Sequence, residues 1–231
     1  MKIKFFTRMA LCLGVILSLS SCISDDDNNY YNPPTPNVAF GIIANASPNS
    51  GDLYFFADKN QINTYALKYT NALGYGNYSI GDRVLTVQNS AGTVLATNNV
   101  TLKRGDYFTT FAVNTFDKLE LVTYGDSLQY PASGNVRVRF INLSPDAAPI
   151  DIKSTSKTFA TELAFKATTE FTEVPAGTYN ISYTNNETSA SLFTDTVTFE
   201  YGRVYTVYTK GFVTPPTGSN DTFSTETMRH L

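Results

Sequence analysis

The amino-acid sequence predicts an all-β protein built from two tandem immunoglobulin-like antiparallel β-sandwich domains. Short runs rich in β-branched and aromatic residues recur between clusters of Gly, Pro, Asn, Asp and Ser, the pattern of strands and tight turns. No segment shows a helical period with caps. The chain also repeats itself: "NVAFGIIANASPNSGDLY" from Asn37 lines up with "NVRVRFINLSPDAAPIDI" from Asn135, "YSIGDRVLTV" with "TEVPAGTYNI", and Val94–Val113 with Leu192–Thr209.

The chain opens with Lys2, Lys4 and Arg8 and the apolar stretch Ala10 to Leu19. That is the pattern of a secretory signal peptide over residues 1–21, too short for a membrane span of about 20 apolar residues. Leu19, Ser20, Ser21 and Cys22 resemble a bacterial lipobox, in which the cysteine becomes the lipidated first residue of the mature protein. Cys22 is then the membrane anchor, since several acyl chains hold a protein stably where one does not. The run Ser24, Asp25, Asp26 and Asp27 resembles the surface-export signal of Bacteroidota lipoproteins; a plain solvated tether is the alternative. Residues 22–36 close with "NNYYNPPTP", a proline-rich, semi-stiff spacer.

Composition narrows the function. Removing residues 1–21 takes away three basic side chains and no acid, leaving 14 basic and 20 acidic groups, a net charge of −6. An acidic chain without a basic cluster does not suit nucleic acid, whose binding rests on phosphate neutralisation. With Cys22 acylated, no thiol is left for a disulfide, a metal or a nucleophile. His230 is the single histidine, beside a chain end expected to fray. No phosphate loop, nucleophile elbow or metal-ligand spacing appears. The chain is therefore expected to be non-catalytic and to carry no cofactor and no metal, with a two-carboxylate hydrolase as the remote alternative.

The repeats set the domain boundaries: residues 37–126, a linker at 127–134, and residues 135–231. In "NVRVRF", Val136, Val138 and Phe140 alternate with Arg137 and Arg139, as in a half-buried strand whose arginines face water. About seven strands are expected per copy. The linker carries Pro131 and Gly134 and no strand-length alternation, so few contacts are expected to cross it.

"VRVRFINLSPDAAPIDI", "EVPAGTYNISY" and "GRVYTVYTKG" resemble the signature blocks of the domain of unknown function family 4397. The resemblance covers about residues 135–211. The first copy matches in degenerate form: Ser47, Pro48 and Asp52 remain, the loop is shorter, and "IGDR" replaces the Pro-Ala-Gly turn. Membership implies a secreted or surface β-sandwich module and no particular activity.

Candidate contact residues lie in the loop Ser144–Asp151, where Asp146 and Asp151 flank two prolines. Turn chemistry also accounts for these residues. Tyr183 and Tyr208 could stack on sugars or fill the core. Asp126-Ser127-Leu128 and Asp195-Thr196-Val197 resemble the Bacteroidota O-glycosylation signal, making Ser127 and Thr196 candidate acceptors. The expectation is a lipid-anchored outer-membrane protein on the cell surface, working in binding, adhesion or envelope organisation. Its partners are the membrane and an unidentified protein or glycan; a glycan-binding accessory to polysaccharide uptake is the alternative.

Overall fold

A computed structural model describes residues 37–230. Cys22, the lipobox residues Leu19 to Ser21, the acidic run Ser24 to Asp27 and the spacer lie outside the described residues. The described chain belongs to one compact unit.

The first copy contributes eight strands: β1 (Val38–Asn45), β2 (Tyr54–Ala57), β3 (Asn60–Gln61), β4 (Gly76–Ser79), β5 (Gly81–Gln88), β6 (Val94–Leu102), β7 (Tyr107–Val113) and β8 (Glu120–Gly125). The second repeats them as β9 (Asn135–Asn142), β10 (Ile150–Ser154), β11 (Thr158–Leu163), β12 (Thr172–Pro175), β13 (Gly177–Asn185), β14 (Ser191–Phe199), β15 (Val204–Lys210) and β16 (Ser224–Arg229). Each copy is a sandwich of two four-stranded sheets. The orders β4-β1-β7-β8 and β3-β2-β5-β6 in the first recur as β12-β9-β15-β16 and β11-β10-β13-β14 in the second. One pair in each copy is parallel, β1 with β7 and β9 with β15; the remaining pairs of these sheets are antiparallel.

The parallel pairs fix the equivalence of the copies. Phe40 faces Tyr107 and Arg137 faces Val204, so Val38 corresponds to Asn135 and Asn45 to Asn142. The buried positions follow the same pattern along β1 and β9. The strands thus stand one residue away from the alignment that the leading asparagines suggest.

Three apolar clusters lie between four layers. Ile43, Phe55, Leu85 and Phe108 belong to the core of the first sandwich; Phe140, Ile152, Tyr183 and Phe199 belong to that of the second. A third cluster joins Ala44, Ala46, Phe111 and Val113 of the first copy to Ile141, Leu143 and Tyr208 of the second. Phe111 meets Tyr208 edge to face at 4.9 Å. Successive strand residues point to opposite faces, so the sheets containing β1 and β9 are each buried on both faces. Such strands are buried at consecutive residues rather than alternate ones, as β1 is from Gly41 to Asn45 and β7 from Phe108 to Val113. The expectation of few contacts between the copies joined by residues 127–134 is therefore corrected: each sandwich has its own core, and a third cluster packs the two together.

Candidate functional site

The contact between copies is polar at one end. Arg139, on β9, occupies the position of Ile42 in β1 and points at the first copy. It is 2% exposed, which corrects the reading of both arginines as a wet face. Only Arg137 stays half-exposed. Burial of Arg139 is offset by three acceptors, one for each guanidinium nitrogen. Its Nη2 pairs with Asp126 Oδ1 at 2.5 Å, Nη1 donates to the Gly125 carbonyl at 2.7 Å and Nε donates to Thr206 Oγ1 at 2.8 Å. The Phe171 ring covers the guanidinium at 4.6 Å. Desolvation draws the Arg139 pKa down while Asp126 holds it up.

Asp126 also accepts from Tyr75 and Thr109, both to Oδ2 at 2.7 Å. His230 completes the group. Its Nδ1 lies 2.8 Å from the Tyr75 hydroxyl and its Nε2 2.6 Å from Thr206 Oγ1. Its backbone N–H donates to the Val204 carbonyl. The frayed end expected at His230 is thus a buried anchor point, which sequence position concealed because β16 pairs with β15 up to Arg229. Burial, with Arg139 adding to it and Asp126 opposing, lowers the His230 pKa to about 4.

The other end of the contact is held by the loops that follow β1 and β9. In both copies an Asn-X-Ser-Pro turn closes on itself: Asn45 and Asn142 accept from the backbone N–H of Ser47 and Ser144 and donate to the carbonyls of Leu67 and Leu163. Ser47 and Ser144 then donate to the carbonyls of Asn114 and Gly211. The connection from β15 to β16, residues 211–223, lies against both turns. Asp146 accepts the backbone N–H groups of Val213 and Thr214, each at 2.8 Å. Its equivalent Asn49 donates its backbone N–H to Asp221 and accepts from Ser219. Gly211 is required here: its φ is +76°, and a Cβ would sit 2.2 Å from the Thr222 carbonyl oxygen.

The structure does not bring Asp146 and Asp151 onto a common partner. Asp151 accepts from the Glu162 backbone, Asn186 and Lys153, and these bonds draw its pKa below the ordinary carboxylate value. Tyr183 and Tyr208 are fully buried and belong to the cores. Thr196 is exposed on β14, where its hydroxyl donates to Asn180, and Ser127 is exposed after β8.

An open groove of about 690 Å³ lies at the ends of β6 and β8, beside the residues that leave the first copy. Val100, Leu102, Phe108 and Leu128 supply its apolar lining, with Thr123 and Gln129 among its polar groups. Gly41 shapes the same core: a Cβ there would fall 2.2 Å from Phe108 Cζ, so the ring fills the place that Val138 takes in the second copy. The lining comes from one stretch, residues 100–129, but no motif in that stretch signals a groove, which forms only once the ends of β6 and β8 come together.

Residues 42–153 and 144–225 both match the domain of unknown function family DUF4397, and the chain belongs to that family. The match takes in the first copy as well as the second. No curated protein sequence matches. Among solved structures, the chain is similar to the fimbrial anchor protein Mfa2 from Porphyromonas gingivalis, with 11% identity, 83% of this chain and 97% of that chain covered, and a TM-score of 0.22. A superposition that loose transfers no role.

Proposed function

We propose that this protein is a non-catalytic, lipid-anchored β-sandwich module displayed on the outer membrane of a Bacteroidota-type cell, where it serves binding, adhesion or envelope organisation. Cys22 carries the anchor and Ser24 to Asp27 direct export to the surface. The single observation behind the binding role is the groove at the ends of β6 and β8. Its volume falls in the range of about 300–1,000 Å³ usual for ligand sites, and its lining mixes apolar and polar groups as such sites do. The non-catalytic reading draws support from Thr206 and His230: the hydroxyl–imidazole pair that could resemble a nucleophile and base is sealed in the contact between copies, with Thr206 at 0% exposure.

The test has two arms. Cys22→Ala should release the protein from the membrane fraction or leave it unprocessed; membrane retention with normal maturation overturns the anchor. Leu128→Asp places a charge in the groove on a residue outside both cores. Capture of envelope components, or binding to a glycan array, should fall at least tenfold with the melting temperature unchanged. Undiminished capture by the variant removes the groove from the binding role. A glycan hit lost in the variant selects the polysaccharide-uptake role over protein adhesion.

A further inference from the structure

We infer that the side chains of Arg139, Thr206, His230, Tyr75 and Asp126 form a closed ring that latches the two sandwiches together and opens in acid. The direction of each hydrogen bond in the ring is determined. Asp126, paired with Arg139, only accepts, so the single Tyr75 proton goes to it and Tyr75 must accept from His230 Nδ1. In the neutral imidazole Nε2 is then the acceptor, so the Thr206 hydroxyl, which receives from Arg139 Nε, donates to it. Burial keeps the imidazole neutral, and the ring places its proton on Nδ1.

Adding a proton to Nε2 breaks this order. The Thr206 oxygen would then receive from two donors, and its own proton would lose its acceptor. The new positive charge would face the Arg139 guanidinium. The charged and titratable groups around His230 come from every element against it: Arg139 on β9, Asp126 after β8 and Tyr75 before β4. Asp126 already receives from Arg139, Tyr75 and Thr109. It stands 3.8 Å from His230 Nδ1, so it answers the added charge without a direct hydrogen bond. Arg229, next in the chain, pairs with Glu200. Phe171 supplies an aromatic edge at 6.1 Å.

Thr206 and His230 belong to the second copy, and Tyr75, Thr109 and Asp126 close the first, so losing the ring loosens the contact between copies before either sandwich core. With the imidazole titrating near 4 when latched and near 6.5 when released, acidification from well above 6.5 to well below 4 shifts the balance toward the open contact by about 300-fold, at tenfold per unit.

The chain Thr35–Leu231 is a compact unit and, prepared without a histidine tag, contains one imidazole. Its nitrogen–proton correlation spectrum should show the Nδ1–H tautomer at pH 7 and an apparent pKa about two units or more below 6.5. Hydrogen exchange at pH 4 should rise first in β7, β15 and β16, with β5 and β13 still protected. An Nε2–H tautomer, a pKa near 6.5, or exchange that rises first in the outer sheets overturns the latch. These readouts use the unaltered chain, so they decide the matter even if His230→Phe fails to fold. Where that variant folds, its acid-induced opening should lose the steep dependence between pH 6.5 and 4.

Discussion

The two copies share strand order, register and the Asn-X-Ser-Pro turn, yet differ where they meet. At one equivalent position the first copy has Ile42 and the second Arg139; at another the pair is Gly41 and Val138. Elsewhere along the contact the equivalents are alike in kind: Ala44 with Ile141, Ala46 with Leu143, Phe111 with Tyr208. A self-complementary contact between like faces would bring identical groups together, and two arginines could not be buried that way. Placing the arginine in one copy and its aspartate at the end of the other makes the contact polar, directional and specific. The asymmetry of the repeats is what lets their middle sheets be buried on both faces.

The sharpest way to break that comparison is to make the positions alike. Arg139→Ile restores the residue type of the first copy but leaves Asp126 buried without its cation. Removing one partner of a buried pair costs about 3–5 kcal/mol. The double change Arg139→Ile with Asp126→Leu should recover part of that loss: no charge is then stranded, although the Tyr75 and Thr109 hydroxyls lose their acceptor. Denaturant unfolding of the two variants against wild type measures the difference. Equal losses in the single and double variants would show that packing around Arg139, not its charge, holds the copies together.

Acid probes the same end of the contact. An unfolded imidazole takes up its proton as pH falls through about 6.5, whereas the folded His230 does so only near 4. Between those values the unfolded state binds more protons, so this part of the stability is complete above 6.5 and is lost as pH falls toward 4. At about 1.4 kcal/mol per unit the loss is about 3 kcal/mol. Melting curves of wild type and His230→Phe across this interval should diverge in slope, with wild type the steeper.

Gly41→Val sharpens the comparison on the inner face. The added side chain meets the Phe108 ring, and overpacking of this kind costs about 1–3 kcal/mol. Pairing it with Phe108→Ala should cost less than the sum of the two single changes, since the ring no longer contests the space. Unfolding midpoints of the single and double variants decide it.

Much of this architecture was legible before any coordinates. The repeats, the turn residues and the β-rich runs carry the all-β class and the two copies, with about seven strands expected in each where eight form, and the family signature falls on β9 to β15. What escaped was burial on the second face. "NVRVRF" alternates cleanly, so Arg139 reads as solvent-facing until β15 and the first copy cover it. The opposite clue was present in "GIIANA" and "FTTFAV", which carry no charged residue and no regular alternation, as strands covered on both sides do. His230 was obscured by its position: nothing local in "TETMRH" says that β16 carries it back into the contact between copies. The groove depends on how neighbouring strand ends meet within residues 100–129, and the ring joins Tyr75 to His230, 155 residues apart; neither leaves a local pattern.

The smallest effects belong to the loop that joins β15 to β16, and they test whether its two grips are equal. Asp146 accepts two backbone N–H groups, those of Val213 and Thr214. Asp146→Ala strands both, but the site is exposed and water can replace the carboxylate, so the cost should be about 0.5–1.5 kcal/mol. Asn49 does less with its side chain, accepting only the Ser219 hydroxyl, while its bond to Asp221 comes from the backbone and survives substitution. Asn49 also sits at a φ of +58°, where glycine is at ease and other residues are not. Asn49→Gly therefore loses one exposed hydrogen bond and gains back a few tenths of a kcal/mol of backbone strain, for a net change within about 0.5 kcal/mol. Chemical denaturation resolves the two variants. A loss for Asn49→Gly as large as that for Asp146→Ala would mean that the loop is held as firmly by the first copy as by the second, and that releasing either turn frees it.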